Sequence, residues 1–381
     1  MRAVSASTSN LDPYRAGVEL GEAVASIGPE VVFLFSSIQY AVPDLLEGLH
    51  DTIGRDDLIV FGNSGDGCFE TAGVFDFGAA ALALTSTGRV RWQIDVLTDL
   101  HDGFVEKFGG LLSHMSGASE IPRFAYLVTD FRVDAGLVET TLQKYADFPI
   151  VGGLAMDDRR GLSCYVYINR EIRSDALALL SAYGDIGFSI AVGNTQRPIG
   201  HPGHIDAAAA NQVGQIDGIS AAAFIERETG KPVLQSDRGV LSVRLMDSNA
   251  LDEGRLRSIM LKAPSSQGAI GFFGGMESGD WLQVCQANPE QMIGEVEQIA
   301  ASLRETGKTP AGALIVSCTG RKSFLGQGIE CEVDALNRAF PPGLPLAGFP
   351  SRGEIAPLPR HDGYTHTLFH NMTYVVLLFW Q

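Results

Sequence analysis

Four acids in this 381-residue chain follow glycines at the ends of apolar runs: Asp66 after Gly62, Asp157 and Asp158 after Gly152-Gly153, and Glu354 after Gly348. Loop carboxylates hold a ligand's ammonium group or cap exposed backbone amides, and capping is the commoner use unless several converge. Gly152 and Gly153 serve either a ligand that approaches the backbone or close packing around a turn. Arg321 offers a planar fork to a ligand carboxylate, or pairs with Glu330 nine residues on. Cys318 closes an apolar run; a thiolate there, near Arg321 and His370, would be a nucleophile, whereas a buried thiol would be core. His370 is the leading histidine, suited to a ligand carboxylate, a carbonyl or a haem iron, and Asn371 adds an amide beside it. His366, four residues earlier, would share its strand face, and His201 and His204 form a second pair without a third ligand. The loop from Gly62 to Gly67 has the order G-x-x-G-x-G with no amphipathic helix after it, which argues against a nucleotide. No Gly-x-Ser-x-Gly elbow or His-Glu-x-x-His is present to offer another reaction.

The elements that must position these residues recur three times. Apolar residues 31–35 predict a buried strand, Val42, Leu45, Leu46, Leu49 and Ile53 a helix, and 58–61 a strand that stops at Gly62. Residues 124–128, a helix through Leu137, Val138, Thr141, Leu142 and Tyr145, and 149–151 repeat that order into Gly152-Gly153. Residues 313–316, a helix through Ile329, Val333, Leu336 and Phe340, and 344–347 repeat it again into Gly348. Crossovers of this length suit right-handed β-α-β units, whose strand carboxyl ends form a ligand crevice along one edge. The expected fold is therefore α/β, with repeated β-α-β units in mostly parallel sheets and two pseudo-related halves. Residues 197–203, dense in Pro and Gly, mark the expected boundary and hinge between domains at 1–200 and 201–381.

Composition narrows the partners. Lys and Arg number 28 against 45 Asp and Glu, a net charge of −17, without long acidic runs. That shortage of cations argues against nucleic acid and anionic membranes, both of which need basic stripes. The N-terminus lacks a signal peptide's apolar core and no run is long enough for a membrane helix, so a cytoplasmic protein is expected. Five scattered cysteines without a Cys-x-x-Cys indicate neither a disulfide framework nor a zinc knuckle.

Five blocks, in order, resemble the signature of the FIST sensory domain, N and C parts together. They are Pro149-Ile150-Val151-Gly152-Gly153-Leu154-Ala155-Met156-Asp157-Asp158; Asn211-Gln212-Val213-Gly214-Gln215-Ile216-Asp217-Gly218; Val316-Ser317-Cys318-Thr319-Gly320-Arg321 with Leu325-Gly326 and Glu330; Gly348-Phe349-Pro350-Ser351-Arg352-Gly353-Glu354-Ile355; and His370-Asn371-Met372-Thr373. The chain departs from the family at Gly62 to Gly67, where a cysteine-containing block is usual. The resemblance covers roughly residues 30–375 and implies a bacterial signal-input domain that binds small ligands such as amino acids. It also implies service to a kinase, cyclase or chemotaxis component. The match fills the chain, so the signal is expected to pass to a separate protein. Haem-binding nitric-oxide sensors belong to the same family, with His370 the candidate ligand here, although no cofactor is the main expectation. An enzyme dependent on Cys318 is the remaining alternative.

Overall fold

Three apolar runs become central strands because both of their faces are covered. In Val31–Ser37, Val31, Phe33 and Phe35 point into a shared core, while Val32 and Leu34 pack against helices Pro13–Val24 and Pro43–Ile53. Phe124–Thr129 and Pro310–Cys318 divide the same way: Phe124, Tyr126, Val128, Leu314 and Val316 face the shared core, and Ala125, Leu127, Ala313 and Ile315 face outer clusters. Strands covered on both sides read as unbroken apolar runs, which is why the sequence shows them so plainly. The computed structural model describes residues 1–234, 237, 240–246, 252–260 and 268–381.

Each central strand pairs in parallel with the strand that returns from its helical crossover: Ile59–Gly65, Ile150–Leu154 and Leu346–Ser351. On its other side runs an antiparallel strand, Ala79–Thr85, Ala176–Gly184 or Tyr374–Trp380. An outer antiparallel strand follows, Arg2–Thr8, Val90–Thr98 or Phe188–Gly193. The last two places in each six-stranded sheet are filled by exchange. The hairpin Cys68–Glu70/Gly73–Phe75 leaves the first unit and pairs with Leu346–Ser351 of the third. Val166–Ile168/Glu171–Arg173 leaves the second unit for Ile59–Gly65 of the first, and Glu354–Arg360/Gly363–His370 leaves the third for Ile150–Leu154 of the second.

The fold is thus mixed α/β, and the expectation of mostly parallel sheets does not hold. Only three strand pairs are parallel among the described residues. Parallel pairing needs a helical crossover, and each unit has one; hairpins and short returns supply the other, antiparallel neighbours. The pattern also recurs in three units rather than two halves. Strand pairs cross residue 200 in two of the six-stranded sheets, for example Ala347↔Glu70 in one and Ile355↔Gly152 in another. Residues 197–203 are not a free linker, because Arg197–Pro198 pairs with Trp281–Gln286 and opens an inserted sheet. That sheet, with helix Ala221–Thr229, lies between Phe188–Gly193 and helix Pro289–Glu305 of the third unit and has its own core around Phe224, Val243 and Phe272.

The three sheets meet through aromatic rings. Phe33 lies 5.3 Å from Tyr126 and 6.4 Å from Phe379, and Phe124 lies 6.0 Å from Phe379, so each sheet touches the other two at the centre. No helix among the described residues is long and apolar enough to cross a membrane.

Candidate functional site

Gly62, Gly152 and Gly348 sit opposite Leu34, Leu127 and Ile315 in the three parallel pairs. A Cβ at these glycines would come within 1.8, 1.8 and 2.0 Å of the facing carbonyl oxygens, so only glycine fits. A Cβ at Gly153 would come within 2.9 Å of Gly353 O and of Val316. Both candidate glycines, Gly152 and Gly153, are therefore explained by close strand and loop packing.

Two and four residues beyond each glycine the loops bond in a ring. Asp66 N donates to Pro350 O at 3.3 Å, Met156 N to Ser64 O at 2.9 Å, and Arg352 N to Leu154 O at 3.2 Å. The strand-end loops converge as the β-α-β reading expects. The equivalent positions are Asp66, Met156 and Arg352, however, rather than three acids.

A cavity of about 130 Å³ opens beside this ring, between it and the inserted sheet. Met156 and Arg352 belong to the ring; Cys318, Thr319, Asn371 and Met372 come from the third unit's strand ends; Ser258 and Phe273 come from the inserted region. Arg159 and Ser323 complete the mouth with Gly320. Of the candidates from sequence, Cys318 and Asn371 line this cavity.

The other candidates hold the wall in place. Asp66 accepts from Thr319 Oγ1 at 2.7 Å and pairs with Arg159 Nε at 3.1 Å, and its backbone carbonyl accepts from Lys322 Nζ. Asp157 accepts from the N–H groups of Gly161, Leu162 and Ser163 and so folds the loop that carries Arg159. Arg159 has φ of 71°, an uncommon backbone state for a side chain of its size. Asp158 pairs with Arg160 at the surface. Glu354 is fully buried, taking hydrogen bonds from Ser351 Oγ and Thr373 N, and burial pushes its carboxyl above the usual range.

Arg321 is not at the cavity. Its Nε donates to Glu332 Oε1 at 2.7 Å with both side chains fully buried, while Glu330 accepts from Val74 N. His370 is also fully buried, with Nε2 bonded to Ala356 O at 3.0 Å. Cys318 immediately precedes helix Thr319–Leu325 without a side-chain capping bond; burial, then Glu354, push its thiol far up, so it is uncharged at neutral pH, and no histidine lines the cavity beside it.

Sequence reasoning missed Arg159, Arg352, Ser258, Phe273 and the two methionines. Counting from the glycines rather than searching for acids would have brought out Met156 and Arg352. Ser258 and Phe273 carry no sequence signal, since an insertion delivers them. Among the described residues, no group of three His, Cys, Asp or Glu side chains could hold a metal ion.

Comparison with curated proteins matches none of them. A solved structure, T. maritima PurL complexed with ATP, aligns at 12% identity over 99% of this chain and 71% of that one, with a TM-score of 0.21 that carries no argument. The FIST N domain matches residues 30–219 and the FIST C domain residues 225–357. Their boundary falls inside the inserted region that walls the cavity, and together they span most of the chain. The chain belongs to the FIST family, whose domains are in general sensory, small-ligand-binding domains rather than catalytic ones.

Proposed function

We propose that this protein is a signal-input receptor for a small carboxylate-bearing metabolite, the class that includes amino acids, and that the ligand lies in the cavity beside the loop ring. The observation that carries this reading is the Ser258 hydroxyl. Ser258 lines the cavity and is 6% exposed, and its buried hydroxyl oxygen has no hydrogen-bond partner. A buried hydroxyl left unpaired is costly unless a ligand or water completes it. Arg159 and Arg352 at the same cavity suit a carboxylate, because a guanidinium presents a planar fork to two oxygens. The size also fits, since a cavity of about 150 Å³ accommodates benzene.

The residues do not fit haem at His370. The imidazole is enclosed with its Nε2 on a carbonyl, it does not line the cavity, and a volume of about 130 Å³ is far too small for a macrocycle. A Cys318 enzyme lacks support as well, since burial and the neighbouring Glu354 carboxyl hold the thiol neutral.

Occupancy is reported to a separate protein, such as a kinase, cyclase or chemotaxis component, through the inserted sheet. The ligand touches both that sheet and the ring, so its affinity differs between arrangements of the two. Mass spectrometry of compounds released from the purified protein tests the reading: a small carboxylate should leave the native protein and be absent from folded Arg352→Ala. Equal release from both, or no compound and no thermal shift with a carboxylate panel, would overturn it.

A further inference from the structure

Of the described residues that line the cavity, Arg159 and Ser323 alone are exposed, and Arg159 Nη1 donates to Ser323 Oγ at 3.3 Å. The mouth is therefore where these two side chains meet. Arg159 Nε also pairs with Asp66 Oδ2 at 3.1 Å, so one side chain of the second unit reaches both the strand-end loop of the first and helix Thr319–Leu325 of the third. The loop that carries it is held independently. Asp157 accepts from three of its N–H groups, and Gly161 packs against Arg352, whose Nη1 would lie 3.4 Å from a Cβ there. Within that fixed loop Arg159 keeps a φ of 71°. A long side chain held in an uncommon backbone state is a reason to seek a function in its position.

The bridge opens at small cost. The Arg159 side chain is half exposed, and ion pairs open to water hold weakly. Asp66 is buried but is not stranded when Arg159 leaves, since Thr319 Oγ1 donates to the same carboxylate oxygen at 2.7 Å and Lys322 Nζ lies 3.9 Å from the other. The rest of the wall offers no similar exit. Arg352 has its guanidinium carbon 4.8 Å from the Phe131 ring centre and 5.7 Å from that of Phe273, and Cys318, Asn371 and Met372 are buried. We propose that Arg159 is a latch on the cavity: its side chain closes the mouth by joining Asp66 to Ser323, and ligand passes when that side chain swings into solvent. The proposal rests on the cavity reading above and adds how the cavity is entered. Exchange of ligand is then gated by one side chain rather than by movement of a sheet.

Cys318 reports the latch without any ligand, because it lines the cavity and is 6% exposed. The test treats the full-length protein with methyl methanethiosulfonate, a small thiol reagent, and follows each cysteine by mass spectrometry. Arg159→Ala should label Cys318 at least about tenfold faster than the native protein, as loss of a local closure does. Cys68 and Cys285, which are buried and do not line the cavity, should keep their native rates. Intrinsic reactivity pulls the other way, since removing a cation near a thiol lowers its thiolate fraction. Salt gives a second arm on the native protein: screening of the exposed pair should quicken Cys318 labelling, and Arg159→Ala should lose that dependence. An unchanged Cys318 rate in folded Arg159→Ala, or equal acceleration of Cys68 and Cys285, would overturn the latch. Absence of the salt effect in the native protein would overturn it even if the variant does not fold. None of these outcomes touches the carboxylate reading, which the released-compound measurement decides.

Discussion

Burial pulls the His370 pKa from 6.5 down to about 4, with Arg257 and Arg255 adding to the shift. A base whose folded pKa is depressed contributes stability above its unfolded value, and that contribution is lost as pH falls from 6.5 towards 4. His370→Gln should therefore flatten the acid limb of the stability curve over that window, by up to about 3 kcal/mol, as read by urea melts at several pH values. Glu354 works in the opposite direction. Its raised folded pKa favours the protonated native state, so stability declines as pH rises from 4.5 through that raised value. Glu354→Gln should remove this decline. Arg321 and Glu332 form a buried pair, in which Arg321 Nη1, Arg321 Nη2 and Glu332 Oε2 have no partner. Glu332→Gln should cost about 3–5 kcal/mol by leaving a cation buried alone. Arg321→Met with Glu332→Leu should recover much of that in the same melts, and a native-like carboxylate affinity in the double variant would separate Arg321 from binding.

At the scale of elements, Gly152→Ala puts a methyl group within 1.8 Å of Leu127 O in a parallel pair and should prevent the native pairing. Gly110→Ala is its control. Gly110 lies within helix Phe104–Ser116 with open space around it, and alanine there should stabilise by about 0.5–1 kcal/mol. Circular dichroism melts of the two variants should move in opposite directions. The three crossovers were legible in the sequence because strands covered on both faces leave unbroken apolar runs, as in Val31–Ser37. The glycines that end the return strands were legible too, although their packing reason was not. Hairpin exchange was invisible, since Cys68–Glu70 reads the same whether it pairs at home or with Leu346–Ser351. The site was read through its acids, which hold the wall, rather than through Arg159 and Arg352, which reach the cavity. An acid on a loop carries no mark of which way it faces.

Across the whole molecule, Trp92 belongs to one exchanged sheet and Trp380 to another, and both pack at buried interfaces. Single-tryptophan variants retaining either residue should unfold at the same denaturant concentration, because neither sheet is complete without strands from another unit. A swing of residues 1–200 against 201–381 would have to break pairs such as Ile355↔Gly152. The exchange also sets an order of events during synthesis. The first sheet is complete once residue 173 has left the ribosome, since its strands come from Arg2–Thr8 through Glu171–Arg173. The second must wait with an unpaired edge at Ile150–Leu154 until Glu354–Arg360 is made about two hundred residues later. For close to half of its translation the nascent chain therefore presents one finished sheet and one open edge, a long interval in which that edge is the natural target for a chaperone or for a second nascent chain.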